Sequence, residues 1–196
     1  MPRYTETYDL SEEKERLDSE LDELADRTSE IEQQMDDLDD DEELTQGQLH
    51  EYRESVQEGN RLEQMYAGVQ WALDPDGDRE PIKEVTLGSL TAGEYAEVGD
   101  RLQAVKQGKV GWGRNPDLDN ARRNMFAGAC LQDAPFLDEE DPDLEAKIHA
   151  VTDLAPAFIH WLEERGDELT TPQVEGNGFR KRVEERRTTS TPKSPT

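Results

Sequence analysis

The sequence predicts a mainly α-helical chain: an N-terminal antiparallel coiled-coil hairpin, a small helical domain with one short strand, and a disordered C-terminal tail. Three observations predict it. Two runs of apolar residues keep the three-and-four spacing of a helix seam, and a block of acids separates them. Beyond a break marked by proline and glycine, shorter apolar stripes follow helix-start signals. From Pro172 onward the composition turns to basic residues, Ser, Thr and Pro. The boundaries read as an extension at 1–9, a hairpin at 10–73, a linker at 74–81, a small mostly helical domain at 82–171 and a flexible tail at 172–196.

The first helix of the hairpin carries Leu10, Leu17, Leu21, Leu24, Thr28, Ile31, Met35 and Leu38 on one seam, with charged residues on its other faces. Lys14 stands where a capping box opened by Ser11 would need an acid or amide, so Asp9 or Ser11 alone serves as cap. Asp36 to Glu43 is a nearly unbroken acid run whose like charges would crowd a continuous helix, and it reads as the hairpin tip. Leu49, Tyr52, Val56, Leu62, Tyr66, Val69 and Leu73 form the returning seam, with a slip at Gly59-Asn60. Helices of about 28 residues reach roughly 40 Å. A two-helix seam is a thin core, so Leu17, Leu21, Leu24, Ile31, Met35, Leu38, Val56, Leu62 and Val69 are expected to form an oligomer or docking seam; a plain spacer arm is the other reading.

In the second segment, β-branched residues between Ile82 and Leu87 predict the strand. Thr91-Ala-Gly-Glu94 is a capping box opening a helix to about Lys106, with Tyr95, Val98, Leu102 and Val105 inward. A further helix starts at Asp117 or Asp119 and runs to about Leu131. Asp141-Pro142 predicts the next start, with Leu144, Ile148 and Val151 inward, and Pro156 opens a last helix carrying Phe158, Ile159, Trp161, Leu162 and Leu169. A lone strand is not stable, so it is expected to pair in an oligomer, with the chain near Trp71, or with a partner.

The charge bounds the function. Of 196 residues, 48 are acidic and 22 basic, a net charge of -26. The acids are spread along the whole length, which suits a folded protein in molar salt, where screening shortens to about 3 Å. A halophilic origin is therefore expected. Such a charge repels nucleic acid and anionic membranes; the basic cluster Arg180, Lys181, Arg182, Arg186 and Arg187 is the exception, able to contact nucleic acid, another acidic protein or the protein's own acidic arm. No apolar run resembles a signal peptide or a membrane span, so an intracellular site, or a place in a particle assembled inside a cell, is expected.

Candidate chemistry is sparse. Cys130, the single cysteine, lies in the apolar stretch Phe126 to Leu131 and reads as a buried small residue. His149 and His160 stand eleven apart, which is not a helical metal-ligand spacing, and His50 is distant from both. Asp74, Asp76 and Asp78 begin like a calcium loop, but Arg79 and Val85 stand where Gly and Glu belong. The glycine-rich loop Gly108 to Asn115 follows a helix and lacks a phosphate-loop Lys-Ser/Thr. It reads as a loop offering Trp112 and Arg114 to a protein partner, or as a connector with Trp112 folded back on the core. No converging catalytic set stands out, so no enzyme activity, metal or cofactor is expected.

Val85-Thr-Leu-Gly-Ser-Leu-Thr-Ala-Gly-Glu-Tyr95 resembles the opening of tail assembly chaperones of long-tailed phages, and Phe158-Ile-His-Trp-Leu162 with Glu168-Leu-Thr-Thr171 is similar to their closing helix. The resemblance spans residues 82–171; the acidic hairpin is a departure from the family. It implies a non-enzymatic helper that binds tape measure and tail tube proteins in an infected haloarchaeal cell; the thin seam of the hairpin separately predicts a homo-oligomer. A structural virion component (tail or connector) and a cellular haloarchaeal coiled-coil adaptor are the alternatives.

Overall fold

The computed structural model describes residues 4–36, 45–75, 77, 79–108, 118–137 and 142–171. Its elements are β1 (Thr5–Asp9), α1 (Leu10–Asp36), α2 (Gln46–Leu73), β2 (Glu84–Gly88), α3 (Ala92–Lys106), α4 (Leu118–Cys130), β3 (Leu131–Asp133), α5 (Leu144–Thr152) and α6 (Pro156–Thr170). The fold is mainly helical, with a three-stranded antiparallel sheet ordered β1-β2-β3.

That sheet corrects the expectation of one strand. The residues read as an N-terminal extension form β1, paired with β2 from Thr5↔Gly88 to Asp9↔Glu84. Thr7 Oγ1 and Thr86 Oγ1 meet at 2.8 Å on the outer face. On the inner face Tyr8 and Val85 are register partners, and Tyr8 packs edge-on against Trp161. β3 follows α4 without a break and joins β2 through a register shift between Thr86 and Leu87. The strand at Ile82–Leu87 therefore finds both partners within its own chain.

The long helices begin where local chemistry satisfies their free N–H groups. Asp9 Oδ1 accepts from the N–H groups of Ser11 at 2.8 Å and Glu12 at 3.2 Å. Thr45 and Gln48 form a full capping box at the start of α2. α1 and α2 run antiparallel: the Leu10 N–H bonds Lys83 O just past the end of α2, while Arg27 reaches Glu51 and Tyr52 reaches Glu32 further along. Leu10, Leu17, Leu62, Met65 and Val69 are buried in this pair. Val56 is 40% exposed, against expectation, because Ser55 takes the inward position beside it. The acid-run tip beyond Asp36, Leu38 included, lies outside the described residues.

Residues 10–73 and 82–171 do not build separate cores. Leu10, Leu17, Met65 and Val69 share one cluster with Val85, Leu87, Phe158, Trp161 and Leu162. Nor is 74–81 a free linker: the Ile82 N–H bonds Ala72 O at 2.8 Å, and Arg79 stacks over Trp71 while donating to Asp153 O. A second cluster joins Val98, Val105, Met125, Phe126, Cys130 and Ile148 between α3, α4 and α5. α5 starts two residues later than its proline suggests, because Asp143 supplies the cap to Ala146 N–H. Pro156 does open α6.

α6 approaches α2 closely because Gly68 has no side chain; a Cβ there would lie 2.4 Å from Ala157 O. Backbone cannot yield as a flexible side chain can. Gly68→Ala is expected to lose about 1–3 kcal/mol of stability through overpacking. Denaturant unfolding in molar KCl measures this, and an unchanged midpoint would show that α2 and α6 are not in contact there.

Candidate functional site

Two features of the described residues could carry function: a buried charge cluster between α1 and α6, and an open groove beside α5. The cluster centres on Glu13, which is 6% exposed, and Arg165, which is 4% exposed. Arg165 Nε donates to Glu13 Oε1 at 2.7 Å, and Trp161 Nε1 donates to the same oxygen at 2.9 Å. Arg16 grips both Glu13 oxygens from the solvent side. Arg165 also donates to both oxygens of Glu168. Burial, with the carboxylates of Glu6, Glu168 and Glu13 nearby, pushes the Tyr8 phenol well above its ordinary range. Burial also raises the Glu168 carboxyl.

Both oxygens of Glu13 and both oxygens of Glu168 accept from other members of this cluster. A nucleophile or general base needs a lone pair or proton directed at open space. Here the groups are spent on holding α1 against α6. In the second polar joint Glu163 accepts from Arg122 at 3.2 Å and Arg123 at 2.9 Å. Burial pushes Glu163 up, but His160, Arg123 and Arg122 outweigh it and hold the carboxyl below its ordinary value. His160 Nδ1 is buried 3.9 Å from Glu163 Oε2 and has no hydrogen-bond partner among the described residues.

The groove encloses about 580 Å³. Pro81 and Ile82 form one wall, Pro135, Phe136 and Leu137 another, and Ala146, His149 and Ala150 of α5 the third. Arg79, Glu80 and Asp153 stand among its lining residues. Rigid prolines and half-buried apolar side chains of this kind offer shape and area, with charges able to orient a ligand. The groove has no local sequence signal, because its walls come from three separated segments.

The residues expected to bind partners are placed as follows. Trp112 and Arg114 lie outside the described residues, as do Asp76 and Asp78 of the acidic turn and the basic segment 172–196. Of the proposed oligomer seam, Leu17, Leu62 and Val69 are buried in the chain's own core and Ile31 is 7% exposed, so these four are not free to meet a second copy. Leu21, Leu24 and Met35 are half-buried, and Val56 is exposed. His149 lines the groove, and His50 is exposed beside Glu54. Among the described residues, no group of three or more His, Cys, Asp or Glu could hold a metal ion, and no helix is long and apolar enough to cross a membrane. Comparison with protein-family models, curated proteins and solved structures gave no match.

Glu163 gives the α4–α6 joint a pH dependence. Its folded value lies below the ordinary carboxylate value of 4.5, so its stabilisation is present above that pH. It is lost as pH falls from there through the folded value. Glu168, raised by burial, acts with the opposite sign. Glu163→Gln is expected to flatten the acid limb of a stability–pH profile as pH falls below 4.5. A limb of unchanged slope in the variant would mean that Glu163 is not clamped by its arginines.

Proposed function

We propose that the chain is a non-enzymatic binding and assembly protein that receives apolar side chains of a protein partner in the groove beside α5. The observation that carries this reading is the groove itself: prolines, Phe136 and Leu137 converge there, whereas Glu13, Arg165 and Glu163 are committed to helix–helix contacts. The likeness of residues 82–171 to tail assembly chaperones supports a specific form of it, in which the partners are tape measure and tail tube proteins. Its Leu-Thr-Ala-Gly-Glu motif falls at the turn from β2 into α3, where Thr91 and Glu94 form a capping box. The motif therefore has a structural role as well as a family likeness, and the groove carries the argument for binding. An α1–α2 coiled coil whose outer stretch serves for docking is the matching reading of the N-terminal helices.

Capture of co-expressed tape measure protein tests the partner. Phe136→Glu with Leu137→Asp is expected to cut capture at least about tenfold, as loss of a central apolar anchor does. Retained far-UV circular dichroism would show that the fold survives. Undiminished capture by the variant would sink the groove. Stoichiometric presence in purified virions would instead favour a structural virion component.

The dispersed acids support a halophilic setting, the cytoplasm of a haloarchaeal host. Dilution from molar KCl to millimolar buffer is expected to lower the helical circular dichroism signal as carboxylate repulsion is unscreened. An unchanged signal would remove the salt-adaptation reading and leave the groove proposal standing.

A further inference from the structure

The outer stretch of the α1–α2 pair presents a helix face that α6 does not cover. Gly68 faces Ala157, and Arg61 pairs with Glu164 at 2.7 Å. Position therefore rises along α6 as it falls along α2, and α6 then ends beside β2, where Thr170 Oγ1 accepts from the Leu90 N–H at 3.0 Å. Beyond Arg61, toward Thr45, the contacts described for α2 are with α1: Leu24 beside Gly59, Arg27 to Glu51 and Glu32 to Tyr52. Leu49 and Tyr52 are half-buried there and Val56 is 40% exposed. Acids dominate the margins: residues 20–36 and 45–58 together hold ten acids against two arginines.

We propose that residues 172–196 of the same chain dock along this face. The segment has six basic residues against three acids, in a chain of net charge -26. Phe179 and Val183 stand four apart, with Arg180, Lys181 and Arg182 between them, and Arg186 and Arg187 follow. Phe179 and Val183 meet the margin formed by Leu49, Tyr52 and Val56, and the flanking cations meet the acids of α1 and α2. A second copy's arm would bring ten more acids to the same place, whereas this segment brings cations.

The chain leaves α6 at Thr171, and the eight residues to Phe179 span up to about 28 Å extended. From Arg61 to Leu49 is twelve helical residues, about 18 Å. In molar salt the range of charge falls to about 3 Å, so only ion pairs in contact contribute. The apolar pair then sets position, and the charges exclude a mismatched partner.

Hydrogen exchange on the full chain in molar KCl tests the proposal. Two variants are compared with the parent: Arg180→Glu with Lys181→Glu and Arg182→Glu, and Phe179→Ser with Val183→Ser. All the substitutions lie beyond the described fold, and circular dichroism checks that the helices persist. Amides of residues 47–58 are expected to exchange at least about threefold faster in both variants. Equal rates would overturn the proposal, as would acceleration confined to other elements. If the parent's protection falls on dilution, the occupant is a second copy and docking within one chain is wrong.

Discussion

Glu13 is the carboxylate around which the long helices are arranged. Its Oε1 receives Trp161 Nε1 and Arg165 Nε, donors 148 and 152 residues away in sequence. Removing two such charges from water costs several kcal/mol per ion, so the pair need not add net stability over an apolar substitute. What it adds is selectivity among packings. Leu10 and Leu17 could remain buried after α1 slid by one turn, since a helix seam repeats. After such a slide Arg165 would be left buried without the carboxylate that compensates it. The Trp161 ring, stacked on Phe158 and edge-on to Tyr8, turns that polar choice into a packing choice for β1 as well.

Arginine makes the other connections between helices. Arg61 joins α2 to α6, Arg122 and Arg123 join α4 to α6, and Arg27 joins α1 to α2. An exposed pair of this kind contributes only about 0–1 kcal/mol. Their number matters less than their distribution, since each places a cation beside a carboxylate of the neighbouring helix. With 48 acids and 22 bases, most carboxylates have no cation to meet, and salt must screen the rest.

Much of the helical order was legible because it is written locally. Thr91 and Glu94 stand at box spacing, Pro156 sits where a first turn tolerates it, and the three-and-four rhythm locates α1 and α2. The sheet was not legible. Thr5 to Asp9 is short and mostly exposed, so only Tyr8 shows which face turns inward, and β3 is three residues long and fused to a helix. The Glu13–Arg165 cluster was hidden for a different reason. Where acids are everywhere, one buried glutamate carries no signal, and its partners lie at the far end of the chain. The groove was equally invisible, since prolines and a phenylalanine read as loop punctuation until three segments bring them together.

The thin seam of α1 and α2 takes on a different meaning once α6 is in place. Near the sheet the two helices are not a free-standing pair: Met65, Val69 and Leu17 complete their burial against Phe158, Trp161 and Leu162. There the arrangement is a three-helix core, and its apolar residues are spent. Further out α1 and α2 have each other, and beside buried Ile31 and Ser55 the seam thins to half-buried side chains and one exposed valine. Whatever pairs with this protein through its long helices must therefore do so at the outer stretch. Recognition there depends on a few apolar margins set among carboxylates, which favours a cationic partner over another acidic helix pair.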